Sequence, residues 1–356
     1  MTPSRREFLA FTAQAAACLS AGAAGADEGA RPLQELGLGV VIHSYGIRAG
    51  QPGDEGFSNP RVFFDYCRQL GAAGIQTSLT GLGVQGAEQL RADAAAAGMY
   101  VEGIVALPRD EGDVARFAAE LRIAELCGAK VVRTVMLSGR RYETFDSLAA
   151  FQAFAKEGFR RLEWAKGAVE KQSVSLAVEN HKDWRVEELL DILRRIDCPL
   201  IGVCVDTGNS IALLEEPHAV VDAYAPVAFT THFKDMAVQE YANGFLLSEV
   251  PLGQGFLDLK RIVKSLRGAR PEVRLNLEMI TRDPLRVPCL AEKYWATFDQ
   301  LPGSELAAAL RDVRAHASTQ GLPEIQSKSL EERLRYEDDN VRASLAFAGG
   351  ALRSSD

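Results

Sequence analysis

The chain has 356 residues and 38.6 kDa, is 47% hydrophobic and 25% charged, and has a mean hydropathy of −0.07. These proportions exclude a disordered, collagen-like or membrane-embedded chain. With 48 acidic against 40 basic residues the formal net charge is −8, so long-range attraction to polyanions is absent and nucleic acid is not an expected partner.

Ser4-Arg5-Arg6-Glu7-Phe8-Leu9 is followed by a small, weakly apolar run over 10–24 and by Ala24-Gly25-Ala26 before Asp27. That is the order of a charged segment, an apolar segment and a cleavage site. It is similar to the twin-arginine export signal, so residues 1–26 are set apart from the fold and the mature protein is expected in the periplasm or outside the cell. This route carries folded proteins and so favours a metal or cofactor inserted before export. No later stretch is apolar for long enough to span a bilayer. The six cysteines are scattered with no C-x-x-C pair, which argues against a zinc knuckle or a disulfide framework.

From Gly39 onward, short β-branched runs alternate with longer amphipathic ones. Strands are predicted at 39–43, 75–79, 100–106, 130–136, 173–179, 200–206, 227–232 and 273–279, and helices at 61–70, 87–97, 113–127, 145–171, 186–195, 219–224 and 257–266. Gly71, Gly74, Gly98 and Gly128 stand between a helix and the next strand, as C-caps of tight connections. Strict alternation predicts a parallel sheet, and eight units predict a closed (β/α)₈ TIM barrel in a single domain over 37–318. The competing open sheet would carry a Gly-rich phosphate loop after its first strand, where this chain reads His43-Ser44-Tyr45-Gly46-Ile47-Arg48. Residues 236–255 and 281–301 interrupt the rhythm at the C-terminal ends of strands and are predicted lids or specificity loops. A helix is predicted at 304–317, and 319–356 is predicted to be a partly disordered tail ending in a charged run and a Gly/Ser-rich finish.

Four consecutive strands end their apolar runs on an acid or an imidazole: Glu179, Asp206, His232 and Glu278. A buried charge is costly unless it is paired or holds a metal. One strand-end acid reads as a helix cap, but four in succession read as one oxygen and nitrogen donor set. Such a set suits Mn²⁺, Mg²⁺, Co²⁺ or Zn²⁺.

Here the sequence resembles the xylose-isomerase-like sugar phosphate isomerase/epimerase family, most specifically over 178–283. That family includes ketose 3-epimerases, hydroxypyruvate isomerase, inosose dehydratase and the endonuclease IV branch. The resemblance implies that Glu179, Asp206, His232 and Glu278 bind one divalent metal, manganese being the first expectation, and that Gly253-Gln-Gly255-Phe-Leu-Asp258 matches a family motif. It also implies that Glu179 and Glu278 are the catalytic acid/base pair of an isomerase or epimerase. The substrate would be a keto sugar or keto sugar acid, reacting through a metal-stabilised cis-enediolate. A lyase, decarboxylating or dehydrating a 3-oxo sugar acid through the same enolate, is the alternative.

Asn209 stands where many of these epimerases have a histidine. His43, Arg133, His181, Asn209, Lys234 and Arg282 are the predicted substrate-binding residues, with Tyr45, Arg48, Trp184 and Trp295 as further contacts. The cations point to an anionic substrate such as a keto-aldonate. Five histidines and an acidic surface argue against a phosphodiesterase with a histidine-rich metal cluster. A non-catalytic sugar-binding barrel is the remaining reading. Many relatives form dimers or tetramers, and no stretch of this sequence identifies an interface between copies.

Overall fold

Eight short strands carry the architecture of the computed structural model, which describes residues 37–51, 57, 59–172 and 174–351. They are β1 Leu38–Val41, β2 Gly74–Thr77, β3 Tyr100–Ile104, β4 Val131–Thr134, β5 Ser175–Glu179, β6 Ile201–Asp206, β7 Ala228–His232 and, after an inserted pair, β10 Leu275–Leu277. All neighbours pair in parallel, in the order β10-β1-β2-β3-β4-β5-β6-β7. Parallel bridges Thr230–Arg274 and Phe233–Leu277 join the two ends of the sheet, closing a TIM barrel. The predicted export signal, residues 1–26, lies outside the described residues.

The strands are buried on both faces because helices cover the outside and side chains fill the inside, polar ones such as Gln76, Glu102 and Arg133 among them. Nine helices of eight residues or more occur among the described residues: α1 Pro60–Gln69, α2 Gly83–Ala97, α3 Val114–Leu126, α4 Leu148–Gln172, α5 Val186–Ile196, α6 Pro217–Tyr224, α7 Leu259–Ala269, α8 Gly303–Ala315 and α9 Leu330–Ala351. Asn59 caps α1 by accepting from Arg61 N, with Pro60 at the first helical position. The helix then buries Phe63, Phe64 and Cys67, each large apolar side chain contributing about 1.5–3 kcal/mol. Gly98 ends α2 at φ 65°, a left-handed conformation that a side chain would strain, so the chain turns at once into β3. Among the described residues no helix is long and apolar enough to cross a membrane.

Inside the barrel, Tyr100 of β3 reaches across to β10 and donates to Leu275 O at 3.0 Å and Asn276 Oδ1 at 3.1 Å. A Cβ on Gly39 would stand 2.3 Å from the Tyr100 hydroxyl, and one on Gly74 would stand 2.4 Å from its ring. Those two glycines are therefore the space the tyrosine occupies.

Four segments differ from the sequence reading. Residues 236–255, predicted as a lid, fold with Lys234's neighbour Asp235 into an antiparallel hairpin, β8 Asp235–Tyr241 and β9 Gly244–Val250, to which β11 Leu285–Val287 adds a third strand. His43 lies beyond β1, in the 3₁₀ turn Ile42–Tyr45, and Glu278 lies one residue past β10. Where composition predicts a partly disordered tail over 319–356, the structure has α9. Its start is a capping box: Ser329 Oγ accepts from Glu332 N at 3.3 Å and Glu332 Oε2 accepts from Ser329 N at 2.8 Å. Its buried stripe is Glu337, Asn340, Val341, Ser344 and Ala348, mostly polar, which is why hydropathy does not reveal it.

Candidate metal centre

The ends of β5, β6, β7 and β10 bring Glu179, Asp206, His232 and Glu278 to one point at the C-terminal mouth, where one ligand atom from each lies within 4.8 Å of all the others. Side chains beyond the strand ends hold this frame. Asn180 Oδ1 accepts from Asp206 N at 2.7 Å and its Nδ2 donates to Asp206 O at 3.0 Å, extending the β5–β6 ladder with a side chain. Thr207 Oγ1 accepts from Lys234 N at 2.9 Å between β6 and β7, and Ser44 Oγ accepts from Met279 N at 3.0 Å between β1 and β10.

His232 is fully buried, and its Nδ1 has Glu179 Oε2 at 3.3 Å and Glu278 Oε1 at 3.2 Å but no hydrogen-bond partner. Its other nitrogen, Nε2, lies 2.7 Å from Gln76 Oε1. The Gln76 amide is oriented by donating to Glu102 Oε2 at 3.0 Å, and that oxygen also accepts from Thr230 Oγ1 at 2.6 Å and Asn276 Nδ2 at 3.0 Å. Burial would lower the imidazole, but Cys204, Glu278 and Glu179 outweigh it and raise it well above its ordinary value, so both ring nitrogens carry protons until a cation replaces the one on Nδ1; Gln76 then holds the remaining N–H on Nε2 and leaves Nδ1 as the ligand atom. Asp206 divides its oxygens: Oδ1 accepts from Gly208 N at 2.9 Å and Asn209 N at 2.8 Å, while Oδ2 faces Lys234 Nζ at 2.8 Å. The capping role and the ligand role thus fall on different atoms. This orphaned nitrogen and oxygen-rich donor set fit a divalent ion.

The acids do not stand alone. Arg133 donates through Nε and Nη2 to Glu179 Oε2, and Lys234 Nζ lies 2.6 Å from Glu278 Oε2. Burial would raise the Glu179 carboxyl, but Arg133 and His232 outweigh it and hold it well below the usual carboxylate range. Burial is likewise outweighed at Glu278, by His232 and Lys234. At Asp206 burial prevails over Lys234, and that carboxyl is raised. Lys234 itself is held above an ordinary lysine, since Asp206 and Glu278 overcome its desolvation.

Of the predicted substrate contacts, His43, Arg133, Asn209 and Lys234 touch the three carboxylate ligands directly. His43 Nδ1 lies 2.8 Å from Glu278 Oε1, and Asn209 Nδ2 donates to Glu179 Oε1 at 3.1 Å. Arg282 pairs with Glu249 of β9, through Nε at 3.1 Å. His181 faces Gly139 O at 3.1 Å, and burial pushes its imidazole down to about 3, so it is neutral. Four expected contacts are corrected. Trp184 is a core residue stacked on Phe154; Trp295 binds Cys289 O and packs on Tyr294; Tyr45 is fully buried and donates to Asp338 of α9; Arg48 lies over Phe57 and Tyr66.

The sequence reading missed Gln76, Glu102, Lys182 and Glu249. Lys182 is 2% exposed and donates to Asn209 Oδ1, and burial followed by Lys234 and Arg282 pushes its amine down to about 8. Glu249 is buried; Arg282 and Lys234 overcome that burial and hold its carboxyl at about 2. The glycine motif has a structural role. Asp235 Oδ2 accepts from Gly253 N and Gly255 N, each at 2.9 Å, and a Cβ on Gly255 would lie 2.1 Å from Asp235 Oδ1. Asp258 caps α7 by accepting from Arg261 N.

Comparisons with known proteins agree with this fold. The match to a curated relative, 3-oxo-isoapionate decarboxylase of Pectobacterium atrosepticum, is 29% identical over 149 residues, 41% of this chain, and spans about half of that relative's length (50%). Among solved structures, D-psicose 3-epimerase from Clostridium cellulolyticum, with D-tagatose, superposes with a TM-score of 0.58 at 12% identity, covering 89% of this chain and 99% of that one. A xylose isomerase-like TIM barrel protein from Mycobacterium smegmatis, in complex with magnesium, superposes with a TM-score of 0.55 at 17% identity, covering 79% and 100%. At these identities the structures establish the fold. The family model described as xylose isomerase-like TIM barrel matches residues 64–299, and the chain belongs to that family.

Proposed function

We propose that the chain is a divalent-metal-dependent isomerase or epimerase of a keto sugar or keto sugar acid. The observation that carries this reading is the buried quartet Glu179, Asp206, His232 and Glu278, with the Nδ1 of His232 left without a hydrogen bond among the acids. When bound, a divalent ion, manganese first and Mg²⁺, Co²⁺ or Zn²⁺ as alternatives, would supply Lewis-acid stabilisation to the paired oxygens of an enediolate.

The rest falls to the chain's own groups. Glu179 and Glu278 both approach the same imidazole nitrogen, so a substrate seated there lies beside two carboxylates, one to take the proton next to the carbonyl and the other to return it. Arg133 and Asn209 fix the two oxygens of Glu179. His43, whose side chain is 40% exposed, contacts Glu278 and connects that carboxylate with solvent as a proton path.

A second reading, decarboxylation of a 3-oxo sugar acid, is favoured by one observation: Arg133 holds Glu179 in a strongly acidic state, which weakens it as a base. Loss of CO₂ needs no base in the bond-breaking step. The relative named 3-oxo-isoapionate decarboxylase supports the same chemistry. Metal-loaded protein incubated with 3-keto sugars and keto-aldonates in D₂O separates the two. Deuterium beside the carbonyl without loss of mass supports the isomerase; release of CO₂ refutes it in favour of the lyase. The arginine pair and apolar run that open the chain support export as a folded protein, tested by locating a tagged full-length chain in periplasmic and cytoplasmic fractions.

A further inference from the structure

Four carboxylates crowd the mouth of the barrel, Glu179, Asp206, Glu278 and Glu249, and four cations stand among them, Arg133, Lys182, Lys234 and Arg282. With the His232 imidazole neutral these charges cancel. Asp183 beside Lys182 does not disturb the balance, because burial pushes its carboxyl up to about 8 and it keeps its proton at neutral pH. A divalent ion on Glu179, Asp206, His232 and Glu278, with the imidazole neutral as a ligand must be, leaves this buried region with two surplus positive charges. Uncompensated charge in such a place is strongly unfavourable.

Three of the cations are already committed: Arg133 to Glu179, Lys234 to Asp206 and Glu278, Arg282 to Glu249. Lys182 is different. It is 2% exposed, and its one hydrogen bond goes to the uncharged amide oxygen of Asn209, an atom that Lys234 Nζ also approaches at 3.4 Å. No carboxylate among the described residues forms an ion pair with it. A buried ammonium sharing a neutral acceptor with a second ammonium is a cation waiting for an anion from outside the chain.

We infer that the substrate brings that anion: it is a carboxylate-bearing keto sugar acid rather than a neutral ketose, and Lys182 is the specificity-determining residue that binds its carboxylate. The carboxylate then lowers the surplus from two charges to one, whereas a neutral ketose leaves both; passing a proton from the substrate to a glutamate of the site moves charge without changing either sum. This rests on the metal-dependent reading above and adds to it the substrate class and the residue that selects it.

The test uses a matched pair, 2-keto-D-gluconate and D-fructose, which differ in a carboxylate against a hydroxymethyl group at C1. Calorimetry measures the Kd of each on Mn²⁺-loaded full-length protein, and the Kd of Mn²⁺ itself. The acid should bind at least about tenfold more tightly than the ketose, the scale of one charge-assisted hydrogen bond. Lys182→Met should erase that margin while leaving Mn²⁺ affinity intact or raised, since it removes a cation, and Lys182→Arg should keep most of it. A variant that simply failed to fold would lose Mn²⁺ as well. If Mn²⁺ binds to the native protein and the acid has no advantage, including the case in which neither sugar binds, the assignment of Lys182 and of an acidic substrate is overturned and the metal site stands. If Mn²⁺ does not bind at all, the metal-dependent reading falls and takes this inference with it.

Discussion

Gln76→Met tests whether the buried chain beneath His232 sets its chemistry. Gln76 Oε1 is 2.7 Å from His232 Nε2, both side chains are fully buried, and the substitution nearly preserves volume. Without the acceptor the ring N–H has no partner on that side, a loss of about 1–3 kcal/mol in folding stability. The second consequence is specific to metal binding. The proton would move to Nδ1, where Glu179 and Glu278 oxygens at 3.3 and 3.2 Å can accept it, and Nδ1 is the nitrogen a metal needs. Reversing that preference should weaken Mn²⁺ binding by about 10–100-fold, or about 1.4–2.7 kcal/mol. Mn²⁺ titration followed by electron paramagnetic resonance of the free ion gives the affinity, and thermal melts of the metal-free protein give the stability. Gln76→Glu, which restores an acceptor, should recover most of the affinity. An affinity for Gln76→Met within about twofold of the native value would show that Gln76 does not set the imidazole tautomer.

Three further outcomes are expected. Glu278→Gln should lower turnover by about 10²–10⁴-fold with the native fold retained; undiminished turnover would favour a non-catalytic barrel. Asp183 and Glu337 are buried acids raised from 3.8 and 4.5 to about 8 and about 7, so both bind protons more tightly folded than unfolded. Their contribution is complete below pH ~4 and is lost as pH rises through 7 to 8, on the order of 1–3 kcal/mol. Glu249 and Glu179, shifted the other way, matter only in acid. His181 and Lys182, both lowered on folding, work the other way below about pH 6.5 and above about pH 8. Melting temperature should therefore fall between about pH 6.5 and 8, and Asp183→Asn should flatten that fall; a rise over that window contradicts the assignment. Glu337→Ala removes the acceptor for Ile47 N at 2.7 Å and Arg48 N at 3.2 Å, and should cost about 2–3 kcal/mol in urea denaturation, unless α9 is dispensable to the loop that carries His43.

What the sequence reveals and what it hides follow one physical division. Strands buried on both faces show as apolar runs, and an acid that ends such a run, as Glu179, Asp206 and Glu278 do, is conspicuous because burial makes it expensive. Gln76 and Glu102 carry the same cost inside β2 and β3, but their partners are 156 residues away at His232 and 128 away at Thr230, and one polar residue in a short strand has no local signature. The hairpin's local signal is displaced: the turn residues are Ala242-Asn243, with Gly244 already paired to Tyr241, so Asn-Gly does not occupy the two turn positions that would announce a hairpin. Trp184 and Tyr45 show the opposite error: an aromatic residue near a site residue in sequence is still most at home in the core.

The small sheet deserves a different description from a lid. Where the chain enters β8 two neighbouring residues have separate tasks: Lys234, just before the strand, reaches the acids at the mouth, while Asp235, its first residue, binds the amides of Gly253 and Gly255 and fixes the far end of the hairpin. β9 returns antiparallel from Gly244 to Val250, and β11 pairs along its other edge. Glu249 therefore stands on a strand held from both sides, and its ion pairs with Arg282 and Lys234 are built into the wall of the site. A lid would adjust its charge by moving. A fixed wall sets it in advance, by committing Glu249 to Arg282 and Lys234 and leaving Lys182 without an acid among the described residues, so the anionic substrate we infer would meet a charge pattern fixed by ion pairs the sheet has already made.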